Sequence, residues 1–486
     1  MNFFGETIME KAKASVAKNA VYQTIYNVLA TITPLITTPI ISRELGPEKL
    51  GVFSYTLTVS NYFTIFAMLG VVNYGTRSIA EATDSSEVSK RFWCIYAIQG
   101  FMSVVCIALY LLYVMLFVPA NTIIFVVQTF WILSALFDVN WFFFGLEEFK
   151  ITVTRNIIIK FLTVISIVLF VRKGHNPLLV YTLIMAGGNF ISVISILPLL
   201  KSRLIWYKPE WSDIKKHIKP IFVLFIPLLS GVLFGSMDKL MLGSMSEYEQ
   251  LGYYYNADRI INIPLTVISG VSTVLFPRIS AMISQDKREE SLVFISRSYD
   301  IVIWMAVLLS FGIAGCAKEF VSVFFGSGYE KCVPIIYIMT PLLLINAVCM
   351  FYRMQYLVPF HHDKLYAWAL FIGTVVNLSL NFPLIFAYKA LGAAVATLVA
   401  QIVVMIIQFK RHEGVDIRHW LFILVKYVIL GFCMFIVMRW LSKIIDNTMS
   451  ALMIEVLVGG LSYFLLSLLY WKIAGGLNDK ISLIRK

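Results

Sequence analysis

Charged side chains stand inside two neighbouring apolar segments, and their types suit the binding of an anion. Asp238 and Lys239 lie in the first segment, and Asp258 and Arg259 lie in the second. A charge in hydrocarbon costs about 3 kcal/mol on insertion scales, so each needs a partner or a use. Arginine can hold a phosphate through two parallel hydrogen bonds, which a lysine cannot. The residues favour an anion site, although an arginine paired with an acid for packing alone is the alternative.

Further polar residues recur at helical spacing on the segments around these charges. Gln23 and Asn27 are four residues apart in one segment, Thr58 and Asn61 are three apart in the next, and Asn262 follows Arg259 by three. Such spacing places each set on one helix face. We expect the faces to line a water-filled cleft, with interhelical hydrogen bonding as the alternative. The candidate substrate-binding residues are Arg259, Lys239, Arg353, Asn27, Gln23, Thr58, Asn61 and Asn262.

The composition is that of a membrane protein with many spans. Of the 486 residues, 59% are hydrophobic and 14% are charged, whereas soluble domains carry roughly 25% charged residues. Runs of about twenty apolar residues predict helices and not barrel strands. The net charge of +12 is interpreted as charge that sets orientation, so no nucleic-acid partner is expected. The pattern predicts about fourteen transmembrane helices and an excess of Lys and Arg inside, with both termini cytoplasmic.

Two landmarks predict an internal repeat. Gly51 and Gly252 are offset by 201 positions, and Arg77 and Arg278 share that offset. An even number of spans in each half gives parallel repeats, and we expect the halves to rock in alternating access. The predicted divisions are a six-helix bundle at 1–200, a basic cytoplasmic linker at 201–219, a second six-helix bundle at 220–410, and two further helices with a cytoplasmic tail at 411–486.

No cofactor or metal site is predicted. The six cysteines lack metal-ligand spacing, and His361, His362 and Asp363 would need further ligands. No paired carboxylate, Ser–His pair or phosphate-binding glycine motif stands in a loop, so the sequence favours a transporter over an enzyme. The aromatic run 141–144 is interpreted as part of an aromatic belt at the membrane interface.

The most specific motifs lie in the stretch 238–280, with DKLMLG at 238–243, LGYYY at 251–255 and FPRIS at 276–280. This stretch resembles the polysaccharide repeat-unit flippases of O-antigen and capsule synthesis, in the multidrug/oligosaccharidyl-lipid/polysaccharide (MOP) transporter superfamily. WFFFGLE at 141–147 and LGAAVAT at 391–397 agree with it. The resemblance covers nearly the whole chain.

The resemblance implies an all-α membrane protein of the bacterial inner membrane, with two six-helix repeats in a MATE-like V arrangement and two C-terminal helices. It implies transport of undecaprenyl-diphosphate-linked oligosaccharide, contact with membrane lipids, and a polymerase and a chain-length regulator of the same pathway as further partners. Ion coupling is common in the superfamily, and Asp138, Asp258 and Asp238 are the candidate acids here.

Other functions are left open by the sequence. A multidrug or cation antiporter of the same superfamily would use acids to bind cations, whereas the excess within these spans is cationic. A lipid II flippase would carry a different lipid-linked precursor. A polysaccharide polymerase would need a large polar loop, which the predicted short outer loops do not provide.

Overall fold

The computed structural model describes residues 2–172 and 175–484, with side chains at 29, 31, 33–172 and 175–473. All regular structure within these residues is helical, and α6 and α11 continue into short π-helical turns at Ile167–Val171 and Arg353–Leu357. The helices are α1 Asn2–Met68, α2 Val71–Ala80, α3 Ser85–Phe117, α4 Thr122–Phe137, α5 Asn140–Gly145, α6 Phe149–Ser166, α7 Pro177–Ile194, α8 Trp211–Met245, α9 Tyr248–Ser284, α10 Arg288–Phe324, α11 Cys332–Tyr352, α12 Asp363–Gln408, α13 Ile417–Ile444 and α14 Thr448–Ile484.

Twelve stretches of the described chain are helical, long and apolar enough to cross a membrane. The sequence predicted about fourteen because two of these helices contain a break. Gly46 interrupts α1 with φ 71° and ψ 171°, and Lys389 interrupts α12 with φ 51° and ψ −125°. The sequence predicts separate spans at 20–42 and 51–72, on either side of Gly46, and at 365–386 and 391–409, on either side of Lys389. Positive φ is easy for glycine and strained for lysine, so the two breaks differ in local cost.

Side-chain caps explain where several helices begin. The Asp84 carboxylate accepts a hydrogen bond from the Glu87 amide at 2.8 Å, at the start of α3. Asp416 accepts from the amides of Arg418 and His419 at 3.0 and 3.1 Å, at the start of α13. Each carboxylate satisfies amides that have no partner within the helix, and its charge suits the helix N-terminus.

The chain divides into two compact units, residues 1–252 and 253–486. In the first, the core includes the stacked rings of Phe92 and Trp141, whose centroids are 5.4 Å apart. Trp141, Phe142 and Phe143 are each 0% exposed, so the predicted interfacial belt is wrong for these three, which form core instead. In the second unit, Trp420 of α13 stacks on Tyr299 of α10 at 4.1 Å.

A reciprocal backbone contact joins the two glycines that marked the repeat. A Cβ placed on Gly51 would lie 1.7 Å from the Tyr248 carbonyl oxygen, and one placed on Gly252 would lie 1.9 Å from that of Pro47. Pro47 and Tyr248 are themselves 201 positions apart. Only residues without a side chain permit such an approach. The same contact is therefore made twice with the roles of the repeats exchanged, which agrees with the predicted repeat. The predicted bundle boundaries at 200, 219 and 410 stay a prediction.

Candidate functional site

Arg259 lies in the first third of α9 and is half-buried. Its guanidinium lies over the Tyr255 ring, 5.8 Å from the centroid. The Nη1 atom is buried and has no hydrogen-bond partner among the described residues, and within that part of the chain the guanidinium forms no ion pair with an acid. A buried donor that is left unpaired costs about 1–3 kcal/mol, more when it is charged. The arrangement can therefore accept an anionic ligand without first breaking a hydrogen bond or ion pair to a described residue.

The neighbouring acid is engaged elsewhere. The Asn262 amide donates to the Asp258 carboxylate at 2.8 Å and to the Asp258 carbonyl at 2.9 Å. Asn262 is exposed, as is Thr266 one turn further along α9. The predicted polar face of this helix thus exists and is open, and Asp258 is held by Asn262.

Asp238 and Lys239 lie on α8 in the first unit. Asp238 is 4% exposed, while Lys239 is half-buried. The Ser236 hydroxyl donates to the Tyr62 hydroxyl of α1 at 3.0 Å, and Asp238 and Lys239 lie within electrostatic range of that phenol. The structure therefore places these two charges beside the part of α1 that carries Asn61, as a shared site would need.

Thr58 and the two candidates near the N-terminus differ from Asn61. Thr58 is 6% exposed, and its hydroxyl donates to the Ser54 carbonyl at 2.7 Å within α1. Its hydroxyl is thus engaged inside the helix, whereas Asn61 is half-buried. Gln23 and Asn27 lie outside the residues whose side chains are described.

Asp138 directly follows α4 and belongs to a polar network of the first unit. Its carboxylate accepts from the Asn140 amide nitrogen at 2.9 Å and from the Asn140 side chain at 2.7 Å. Arg155 of α6 donates to the Asn140 side-chain oxygen at 2.8 Å, and Gln99 of α3 donates to the Asp138 carbonyl at 2.9 Å. Three helices thus converge on this acid. Sequence reasoning identified Asp138 but missed the asparagine that links it to Arg155.

Arg353 is separated from Arg259 within the second unit. Its Nη1 donates to the Tyr366 hydroxyl at 2.7 Å. Two residues on, Gln355 donates to the Ser272 carbonyl of α9 at 2.6 Å, which is thirteen positions beyond Arg259, or about 20 Å along a helix. The two arginines therefore lie at different levels along the helices and do not share one site.

Two ion pairs between helices of the second unit were missed. The Lys426 ammonium of α13 lies 2.9 Å from the Asp300 carboxylate of α10, and Arg439 lies 3.0 Å from Glu319 of α10. Neither acid is among the candidate residues predicted from the sequence, because both stand at or beyond the ends of a predicted span at 299–316. Lys426, considered alone, could only be expected to extend toward water.

Comparison with known proteins identifies the family. The profile of a family described as polysaccharide biosynthesis protein matches residues 16–283, which is more than half of the chain. The chain belongs to the polysaccharide biosynthesis protein family. This finding confirms the resemblance inferred from the motifs between residues 238 and 280.

Two relatives in sequence agree with the assignment. An Escherichia coli (strain K12) protein named O-antigen transporter is 24% identical over 413 residues, covering 83% of this chain and 99% of the relative. A protein of Haloferax volcanii named as a low-salt glycan biosynthesis flippase is 24% identical over 190 residues, 39% of this chain and 40% of that protein.

Two solved structures share the fold. The lipid II flippase MurJ in an inward closed conformation has a TM-score of 0.75 at 15% identity, covering 94% of this chain and 99% of MurJ. An inward-facing multidrug transporter of the MATE family has a TM-score of 0.58 at 11% identity, covering 80% of this chain and 96% of that one. An all-α membrane fold is confirmed for this member of the polysaccharide biosynthesis protein family. The names of the two relatives, a transporter and a flippase, agree with the expectation of a transporter.

Proposed function

We propose that the protein is a flippase that moves undecaprenyl-diphosphate-linked oligosaccharide repeat units across the bacterial cytoplasmic membrane by alternating access. The product would serve a surface polysaccharide such as O-antigen, capsule or exopolysaccharide. Family membership, the names of the two relatives and the transporter fold support this proposal.

The observation that carries the proposal is the buried Nη1 of Arg259, which has no hydrogen-bond partner among the described residues. A diphosphate that enters a site of low dielectric loses hydration, and the loss must be offset by donors. A guanidinium offers two parallel charge-assisted hydrogen bonds to phosphate. Asn262 is exposed one turn further along the helix and supplies polar groups suited to the sugar. We assign Lys239 and Asn61 to the same substrate, and Arg353 to a second, separate position on its route.

The acids are assigned to ion coupling. Asp138 and Asp238 belong to the first unit and Asp258 to the second. Each lies in or at the end of an apolar helix, where the balance between charged and neutral carboxyl depends on its partners. We propose that the polymerase and chain-length regulator of the pathway act on the lipid-linked product after it has crossed.

Reconstitution of the full chain in vesicles tests the function. A lipid-linked oligosaccharide with a fluorescent sugar is placed in both leaflets, and a membrane-impermeant quencher reports how much is accessible. In vesicles without the protein, the quencher should reach only the label in the outer leaflet. In vesicles that hold the protein, it should also reach label that began in the inner leaflet. Lipid II with the same label serves as the matched control substrate. Faster transport of lipid II would support a lipid II flippase instead, and no transport of either would contradict the proposal.

A further inference from the structure

A buried glutamate on the last helix has no role in the proposed route of the substrate. Glu455 of α14 is 0% exposed, and both carboxylate oxygens are buried without a hydrogen-bond partner among the described residues. An ionised carboxylate in that condition has lost its hydration and gained no donor in exchange. A neutral carboxylic acid is the form compatible with this environment.

The surroundings of Glu455 are built by three helices that approach closely. A Cβ on Gly315 of α10 would lie 2.5 Å from the Met438 sulfur, and one on Gly459 of α14 would lie 2.7 Å from the same atom. Met438, on α13, therefore fills the space between two glycines. Glu319 is four residues from Gly315, and Glu455 is four from Gly459, so each acid shares a helix face with its glycine.

Arg439 is the cation that interacts with both acids of this cluster, Glu319 and Glu455. Arg439 follows Met438, and its Nη1 lies 3.0 and 3.3 Å from the two Glu319 oxygens and 3.2 Å from the Gly315 carbonyl oxygen. Glu319 and Arg439 are the charged groups that interact with the Glu455 carboxyl, and the buried thiol of Cys316 is a further titratable neighbour. Arg439 thus already neutralises Glu319 when Glu455 is protonated.

The cluster lies near one end of the helices. α10 ends at Phe324 and α13 at Ile444, each five residues beyond its charged side chain, and α14 begins at Thr448. The Arg439 side chain is 27% exposed, whereas that of Glu319 is 9% exposed. The guanidinium is therefore the group of this cluster that reaches the surface, and it marks the side from which a proton can enter.

We propose that Glu455 is a proton-binding site, with Arg439 as a counter-ion that it shares with Glu319. Protonation transfers one proton from water at that end to a Glu455 oxygen, which leaves the arginine with Glu319. Release of the proton to the same water places two carboxylates beside one guanidinium, and the close packing of the three helices must then adjust. The site lies on the two additional C-terminal helices and their contact with α10, whereas Arg259 belongs to α9.

Infrared spectroscopy of the purified full chain tests the site without any transported substrate. Wild type at neutral pH should show a protonated carboxyl stretch that is lost in Glu455→Gln, because the amide has the same size and no acid. Asp300→Asn is the matched control and should keep the band, since Asp300 is an ion-paired acid of the same unit. Glu319→Gln should weaken the band, because it frees Arg439 to pair with Glu455. Glu455→Asp should keep a band at a shifted frequency, which covers the case that the amide variant folds poorly.

An unchanged band in Glu455→Gln, or its loss in Asp300→Asn alone, would overturn the proposal. Because no oligosaccharide is present, a negative result here leaves the flippase assignment standing, and a failed transport assay leaves this site standing.

Discussion

Replacing Arg259 distinguishes between two roles of its guanidinium, substrate binding and stabilisation of the fold. The side chain loses no protein hydrogen bond or ion pair in the described part of the chain when it is removed, only the contact with the Tyr255 ring. A cation–π contact is worth about 0.5–1 kcal/mol at a partly exposed site. Removal of a desolvated donor offsets part of this loss. We therefore expect Arg259→Ala and Arg259→Lys to reach the membrane in amounts close to wild type.

The effect on transport should be much larger than the effect on abundance. A hydrogen bond to a charged group contributes about 1.5–3 kcal/mol. Lysine keeps the charge and loses one bond of the pair, which gives a rate lower by about ten- to a hundredfold, since 1.4 kcal/mol is tenfold. Alanine loses both bonds and the charge, and transport should fall by about a hundredfold or more. The vesicle assay with a labelled lipid-linked oligosaccharide measures both rates.

A control arginine and a double variant complete the test. Arg288 belongs to the same unit, is 55% exposed and lies 3.8 Å from Glu413, a surface pair worth at most about 1 kcal/mol. Arg288→Ala should transport at nearly the wild-type rate. If Arg259 instead neutralises Asp258 or Asp238, Arg259→Ala should lower abundance, and Arg259→Gln with the partner acid changed to Asn should restore folding and transport. Restored transport in that neutral pair would refute the phosphate-binding role.

Three further predictions concern topology, access and chemistry. A reporter active only in the cytoplasm should function when fused after Leu200 and after Lys486, because Lys and Arg are concentrated in the inner segments; a silent reporter at either point would contradict the span count. A cysteine at exposed Thr266 should react with an impermeant thiol reagent and be protected by substrate, whereas one at buried Thr58 should react only after a conformational change; equal labelling of both, whatever the substrate, would argue for simple packing. The oligosaccharide should cross the vesicle membrane with its mass unchanged, and a cleaved or extended glycan in mass spectrometry would place the chain among transferases.

Hydropathy and residue spacing predicted the helices well because the bilayer imposes both length and apolarity on a span. The two breaks at Gly46 and Lys389 show the limit of that reasoning. A dip in hydropathy shows where the sequence becomes less apolar. It does not distinguish a loop between two helices from a single non-helical residue within one helix.

Side-chain partners were predicted less well, since they depend on which helices meet. Arg259 and Asp258 are adjacent in sequence, yet Asp258 is held by Asn262. Trp141 belongs to an aromatic run that could equally be core or interface, and only its position beneath Gly75 decides for the core. Glu455 was overlooked because one acid near the start of an apolar helix is unremarkable until its surroundings are known.

The paired contact of Gly51 with Tyr248 and of Gly252 with Pro47 has the property of an isologous interface. Pro47 and Gly51 form one patch, and Tyr248 and Gly252 form the other. Equivalent positions of the two patches make the contact on both sides, as in a twofold dimer. A chain of about half this length, with one copy of the patch, could make the contact only with a second copy of itself. Because both patches belong to one polypeptide, this association does not depend on protein concentration. The two patches can also differ in sequence, and proline stands opposite one glycine where tyrosine stands opposite the other.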